Sequence, residues 1–199
     1  MELYLVCHGE TQWNVQDRLR GREEIPLNEN GKAQARACAL ALRGLEVQKI
    51  LSSPLGRALE TAQEIAKYHA CPAALEPDLI ERDYGRLTGL TAEERERRQI
   101  HGLPDQAEPW RNLAGRAMAA VERCSKELDE NGRAIIVSHE GWINAVLAVV
   151  SAHTAGTGKT KLNCGGISVL RREESGWRIA CHNLSPDEYA VWAAEGKAG

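Results

Sequence analysis

Several things this chain lacks narrow what it can be before any motif is read. No stretch approaches the roughly 18 apolar residues of a transmembrane helix, so no membrane partner is expected. No signal peptide is expected either: Glu2 stands where a basic start belongs, and the apolar run that follows is short. The cytoplasm is therefore the expected setting. The six cysteines (Cys7, Cys38, Cys71, Cys124, Cys164 and Cys181) include no C-x-x-C pair, which disfavours a zinc site, and a reducing compartment disfavours disulfides. Asn183-Leu184-Ser185 fits the glycosylation sequon, but without secretion it carries no meaning. No sign of charge dominates: the net charge is −3, so no nucleic-acid partner is expected and any anion site must be a local feature. Phe is absent although Trp occurs five times, and no functional reading follows from that.

The 199 residues suffice for one domain with a real core, and no repeat or linker divides them. Short β-type runs alternate with helical patterns. LYLVC (3–7) reads as a buried strand followed by a polar loop, and 32–42 as a helix closed by Gly44. VQKILSS (47–53) is a strand leading through Pro54 and Gly56 into the helix RALETAQEIAKYHA. After short extended pieces near 73–81, TAEERERRQI reads as a very polar helix and 109–130 as a longer one. RAIIVS (133–138) is a strand, GWINAVLAVVSA a largely buried helix, and 165–172 and 176–183 form two late strands before a short C-terminal helix. The alternation predicts a three-layer α/β/α sandwich around a mainly parallel sheet. In such sheets ligands bind beyond the carboxyl ends of the strands.

Three strand ends carry chemistry. The first ends in His8-Gly9, the 133–138 strand in Ser138-His139-Glu140-Gly141, and the 47–53 strand in Ser-Ser-Pro with Arg57 opening the next helix. Each His is followed within two residues by Gly, which permits close approach of a ligand to the backbone. Each strand end also leads into a helix start with unpaired N–H groups. Singly, such a His is most often a loop or core residue and such an Arg a surface residue. Together they describe an anion pocket, most naturally for a phosphoryl group.

The order "LVCHGET-x-x-N", "PLNENGKAQA", "LSSPLGRALETA", "LIERDYGRLTG" and "IIVSHEG" resembles the histidine phosphatase superfamily, the phosphoglycerate-mutase-like fold, from residue 3 to about 184. The resemblance implies that His8 is a nucleophile forming a phosphohistidine. It implies that Glu81 donates a proton to the leaving oxygen and then activates water. Arg57 and His139 would hold the phosphoryl oxygens, and Asn14, Cys7 and Gly9 would line the same pocket. No metal and no cofactor is implied. A small helical cap around 82–110 would cover the site within the single domain, with Arg82, Arg86 and Arg95 as candidates for a second acidic group.

The sequence departs from that pattern at position 7, where the family has an Arg that grips phosphate bidentately. A thiol supplies neither the charge nor the donors, and losing one such donor costs about 10²–10³ in rate. A Cys beside His8 and Arg57 could have a lowered pKa and be open to oxidation, or it could be no more than a small semi-apolar residue ending a buried strand. It is not expected to be the nucleophile, because no cysteine here is followed by Arg six residues on, as a cysteine-dependent phosphatase requires. "HTAGTGKT" (153–160) ends like a P-loop but lacks its first Gly and follows a helix, so it reads as a flexible loop whose Lys159 and Lys161 could lie near the pocket mouth. "HEGWI" lacks the second His of a zinc motif, Ile143 standing in its place. The reading is a hydrolase for small phosphorylated metabolites, resembling α-ribazole and broad-specificity phosphatases. Mutase-type phosphoryl transfer and a disarmed phospholigand-binding protein are the alternatives, and a homodimer is compatible with the sequence.

Overall fold

The computed structural model describes residues 1–100 and 106–196. Strands β1 (Glu2–Cys7), β2 (Lys49–Ser52), β3 (Ala73–Leu75), β4 (Arg133–Ser138), β5 (Ile167–Glu173) and β6 (Gly176–Leu184) form one sheet in the order β3-β2-β4-β1-β5-β6. The first four strands of that order are mutually parallel, while β5 and β6 are antiparallel and close the edge as a hairpin. The helices are α1 (Gln12–Val15), α2 (Glu29–Leu42), α3 (Gly56–Ala66), α4 (Ala92–Ile100), α5 (Trp110–Lys126), α6 (Glu140–Val150) and α7 (Pro186–Glu195).

Strand periodicity of two sorts each strand between two cores. Leu3, Leu5, Ala134 and Ile136 face α5 and α6, whereas Tyr4, Val6, Ile135 and Val137 face α2, α3 and α7. Both faces are thus covered, as an all-apolar strand such as LYLV requires. The expected elements appear with small shifts at their ends. Helix α2 begins three residues earlier than expected because the Asn28 side chain accepts from Gly31 N and caps it. Helix α1 lay unseen in the polar loop; Thr11 and Asn14 form a capping box around a single turn. The expected cap at 82–110 falls on a 3-10 turn (Gly85–Leu87) and α4, and its residues 101–105 lie outside those described. No described helix is long and apolar enough to cross a membrane.

Register positions the site. Cys7 pairs with Ser138 and Ser52 with Val137, so the last residues of β1, β4 and β2 lie side by side. His8 N donates to Ser138 O (3.0 Å) and Ser53 N to Val137 O (3.0 Å), extending that row one step past the strands. The residues that follow emerge together on one rim.

Candidate active site

His8 and His139 stand edge to face on that rim, their ring centroids 5.1 Å apart. Both are buried. His8 Nδ1 lies 2.6 Å from Gly9 O, and a carbonyl can only accept, so Nδ1 carries the proton. Nε2 is left with its lone pair, and Arg57 Nε donates to it at 3.2 Å. Burial and then the Arg57 guanidinium hold His8 well below the ordinary histidine value, so the ring is neutral. Burial, Arg57 and His8 do the same to His139.

Arg57 comes from the first turn of α3 and is fully buried. Its Nη1 donates to Glu23 O (2.7 Å) and its Nη2 to Gly21 O (2.8 Å), which ties the polar loop after β1 over the site. Burial lowers it to about 10, still cationic at neutral pH. His139 Nε2 is 2.7 Å from Ser53 Oγ, while its buried Nδ1 has no partner. An unpaired buried nitrogen costs about 1–3 kcal/mol, so it marks a place where a polar group belongs.

Glu81 approaches from the loop after a 3-10 turn (Pro77–Leu79) and is buried. Its carboxylate accepts from Gly141 N (3.1 Å) and Trp142 N (3.1 Å) at the start of α6, and from Arg82 N (2.7 Å). Burial raises its carboxyl above the usual glutamate value, against the opposing pull of the Arg82 and Gly141 N–H groups and the Arg57 and Arg20 guanidinia. The loop is braced by Arg116, which donates to Asp78 O (2.8 Å), Ile80 O (2.6 Å) and Glu81 O (3.0 Å) while forking onto Glu108 (2.8 and 3.0 Å).

The structure thus brings His8, Arg57, Glu81 and His139 together. Three expected pocket residues are engaged elsewhere. Gly9 gives its N–H to Thr61 Oγ1 (3.2 Å) and its carbonyl to His8, and a Cβ there would collide with Gly31 O, so its role is to seat the His8 loop. Cys7 follows the strand alternation into the α5/α6 core beside Leu79, and that burial pushes its thiol up rather than down. The thiol is therefore neutral, which fits a small semi-apolar residue ending a buried strand and sets aside the lowered pKa. Asn14 gives its side-chain oxygen to Thr11 N and Oγ1 (3.0 and 2.7 Å) and lies on an adjoining cleft of about 500 Å³. Lys161 also lines that cleft, whereas Lys159 is exposed. The P-loop-like segment is an ordered turn: Thr157, Lys159 and Thr160 give their N–H groups to Asn144 O and Gly156 O. Arg82 and Arg95 donate to Glu108 O and Leu90 O, and Arg86 is exposed.

Sequence reading overlooked Ser53, Arg116 and Arg20. Ser53 was visible in the "SSP" strand end; Arg116 looked like one polar residue of a long helix. Arg20 precedes the Gly21 whose carbonyl Arg57 holds, a link no local pattern displays. Among the described residues no group of His, Cys, Asp and Glu is placed to hold a metal ion.

A model of the histidine phosphatase superfamily (branch 1) matches residues 3–185. The chain belongs to that superfamily. Relatives of this superfamily member include the Bacillus subtilis protein named "Uncharacterized phosphatase PhoE", 33% identical over 91% of this chain and 93% of its own. They also include the Enterobacter protein named "Probable phosphoglycerate mutase GpmB", 32% identical over 89% of this chain and 87% of its own. Among solved structures, phosphoserine phosphatase of Entamoeba histolytica, in a complex with phosphoserine, superposes with a TM-score of 0.80 at 27% identity, covering 92% of this chain and 97% of its own. Histidine phosphatases of this branch thus include proteins named as phosphatases and as mutases, and the α/β sandwich is shared.

Proposed function

We propose that this chain hydrolyses small phosphomonoesters through a phosphohistidine at His8. The observation that carries the reading is the tautomer: Gly9 O holds the proton on Nδ1, so a neutral Nε2 lone pair faces Arg57 in a buried site. In the first step Nε2 attacks phosphorus, the P–O ester bond breaks, and the departing oxygen takes the proton of Glu81. In the second, Glu81 takes a proton from water as that water attacks phosphorus, the P–N bond breaks, and inorganic phosphate leaves with His8 restored. Net, ester and water become alcohol and phosphate. Arg57 balances the charge that develops, and the neutral His139, whose orphan Nδ1 can carry the ring proton, donates a hydrogen bond to a phosphoryl oxygen. Cys7 contributes no donor, which favours a modest rate. We read 82–110 as the cap of this single-domain enzyme.

The test is release of phosphate from p-nitrophenyl phosphate and a panel of phosphometabolites, with an alkaline quench to trap the phosphoenzyme. Turnover that survives loss of His8 sinks the mechanism, and wild-type protein no faster than a His8 variant makes this a binding protein. Primer-dependent interconversion of 2- and 3-phosphoglycerate without net hydrolysis would assign it to the mutases.

A further expectation concerns Gly141. A Cβ there would stand 2.5 Å from Glu81 Oε1 and 2.9 Å from the Tyr84 hydroxyl, so Gly141→Ala displaces the carboxyl. A shift of about 1 Å costs about 10²-fold in kcat. Thermal melting should show no matching loss, because Ala is favoured over Gly in a helix by about 1 kcal/mol.

A further inference from the structure

A phosphoryl group brings close to two negative charges, and the site as described offers it one cation. His8 and His139 are neutral, and position 7 is a neutral thiol in the core layer. Arg57 has three of its donors engaged by His8, Glu23 and Gly21. A second guanidinium stands nearby. Arg20 immediately precedes Gly21, the residue whose carbonyl Arg57 grips, and its Nη2 reaches Glu140 Oε2 at 3.3 Å, one residue past His139. Its chain position and its partner therefore bracket it between Arg57 and the second histidine.

Two details show what this guanidinium is held for. Its side chain is 14% exposed, so most of its hydration has been given up. Its protein contacts do not make that good, since both are long: 3.3 Å to Glu140 and 3.2 Å to Arg18 O. A charge-assisted N–H···O bond normally lies near 2.7–2.9 Å. It also lines the adjoining cleft with Asn14 and Lys161. Its charge is felt at both histidines and at Glu81.

We propose that Arg20 is the second phosphoryl-binding cation of this site, exchanging its loose contact with Glu140 for a non-bridging oxygen of the substrate and supplying the charge that Cys7 cannot. This rests on the phosphatase reading for its catalytic consequence, while its binding consequence stands without it.

The experiment pairs kcat/KM for p-nitrophenyl phosphate with calorimetric binding of inorganic phosphate, for Arg20→Gln and Arg20→Lys in the wild-type and Cys7→Arg backgrounds. Arg20→Gln is expected to lose about 10²–10³ in kcat/KM and to weaken phosphate binding, with Arg20→Lys in between. In the Cys7→Arg background, where tighter phosphate binding by Cys7→Arg alone shows that the introduced guanidinium reaches the site, the same change is expected to cost less than about tenfold. Arg20→Gln within about threefold of wild type in both measurements, or an equal loss in both backgrounds, overturns the proposal. Where Cys7→Arg does not fold or does not tighten phosphate binding, added guanidinium below denaturing concentration decides in place of the two-background comparison: rescue of Arg20→Ala supports the assignment and its absence overturns it. If wild type shows no His8-dependent turnover, the phosphatase reading fails, and phosphate affinity alone judges Arg20.

Discussion

His8→Ala is expected to lower kcat/KM for every phosphomonoester by at least about 10⁴-fold and to abolish the alkali-stable phosphoenzyme. The size follows from the role proposed for the residue. A nucleophile that forms the covalent intermediate has no substitute, and Arg57 and Glu81 without it can only bind substrate and polarise water. The variant also discriminates mechanism from folding. Removing the ring leaves Gly9 O without its donor, a cost of about 1–3 kcal/mol, so melting should shift while the sheet persists. Residual turnover within about tenfold of wild type in the folded variant would mean that phosphorus is attacked by something else.

Glu81→Gln is expected to lose about 10²–10⁴ in kcat/KM on alkyl phosphates, whose leaving alkoxide needs a proton. The loss should be much smaller on p-nitrophenyl phosphate, whose phenolate leaves unaided. The pH profile provides the second readout. His8 must be neutral to attack, and its value is lowered by burial and Arg57, so activity should persist below the ordinary histidine value of 6.5 and fall only at more acid pH. Glu81 must be protonated to donate, and burial raises it above the ordinary 4.5, so activity should fall as pH rises through that raised value. The bell therefore lies on the acid side, and Glu81→Gln should flatten its alkaline limb. Because the substrate's own second ionisation lies near pH 6, the comparison is of variant with wild type on one substrate. An unchanged alkaline limb, or equal losses on both leaving groups, would remove Glu81 from the proton-transfer role.

Much of this site could be read before any coordinates. The alternation of strands and helices announced the sandwich, and the rule for strand ends drew attention to His8, Arg57 and His139, which the register of β2, β4 and β1 does bring onto one rim. Glu81 was visible only through its place in "LIERDYG", because nothing local distinguishes it from a surface carboxylate. Its burial against the start of α6 depends on Gly141, sixty residues away. The sequence leaves Cys7 between two readings for a related reason. Nothing local separates a thiol activated beside His8 from a small residue ending a buried strand, whereas strand alternation sends its side chain into the apolar layer with Leu3 and Leu5.

What the sequence by itself determined is the class of chemistry: residue types, their order, and a parallel sheet whose strand ends must collect them. Only the tertiary structure decided protonation and charge. The proton on His8 Nδ1, the neutral thiol at Cys7, the raised Glu81 and the underused Arg20 all follow from burial and from partners distant in the chain. Desolvation and through-space electrostatics act between neighbours in three dimensions, and a linear pattern carries no record of them.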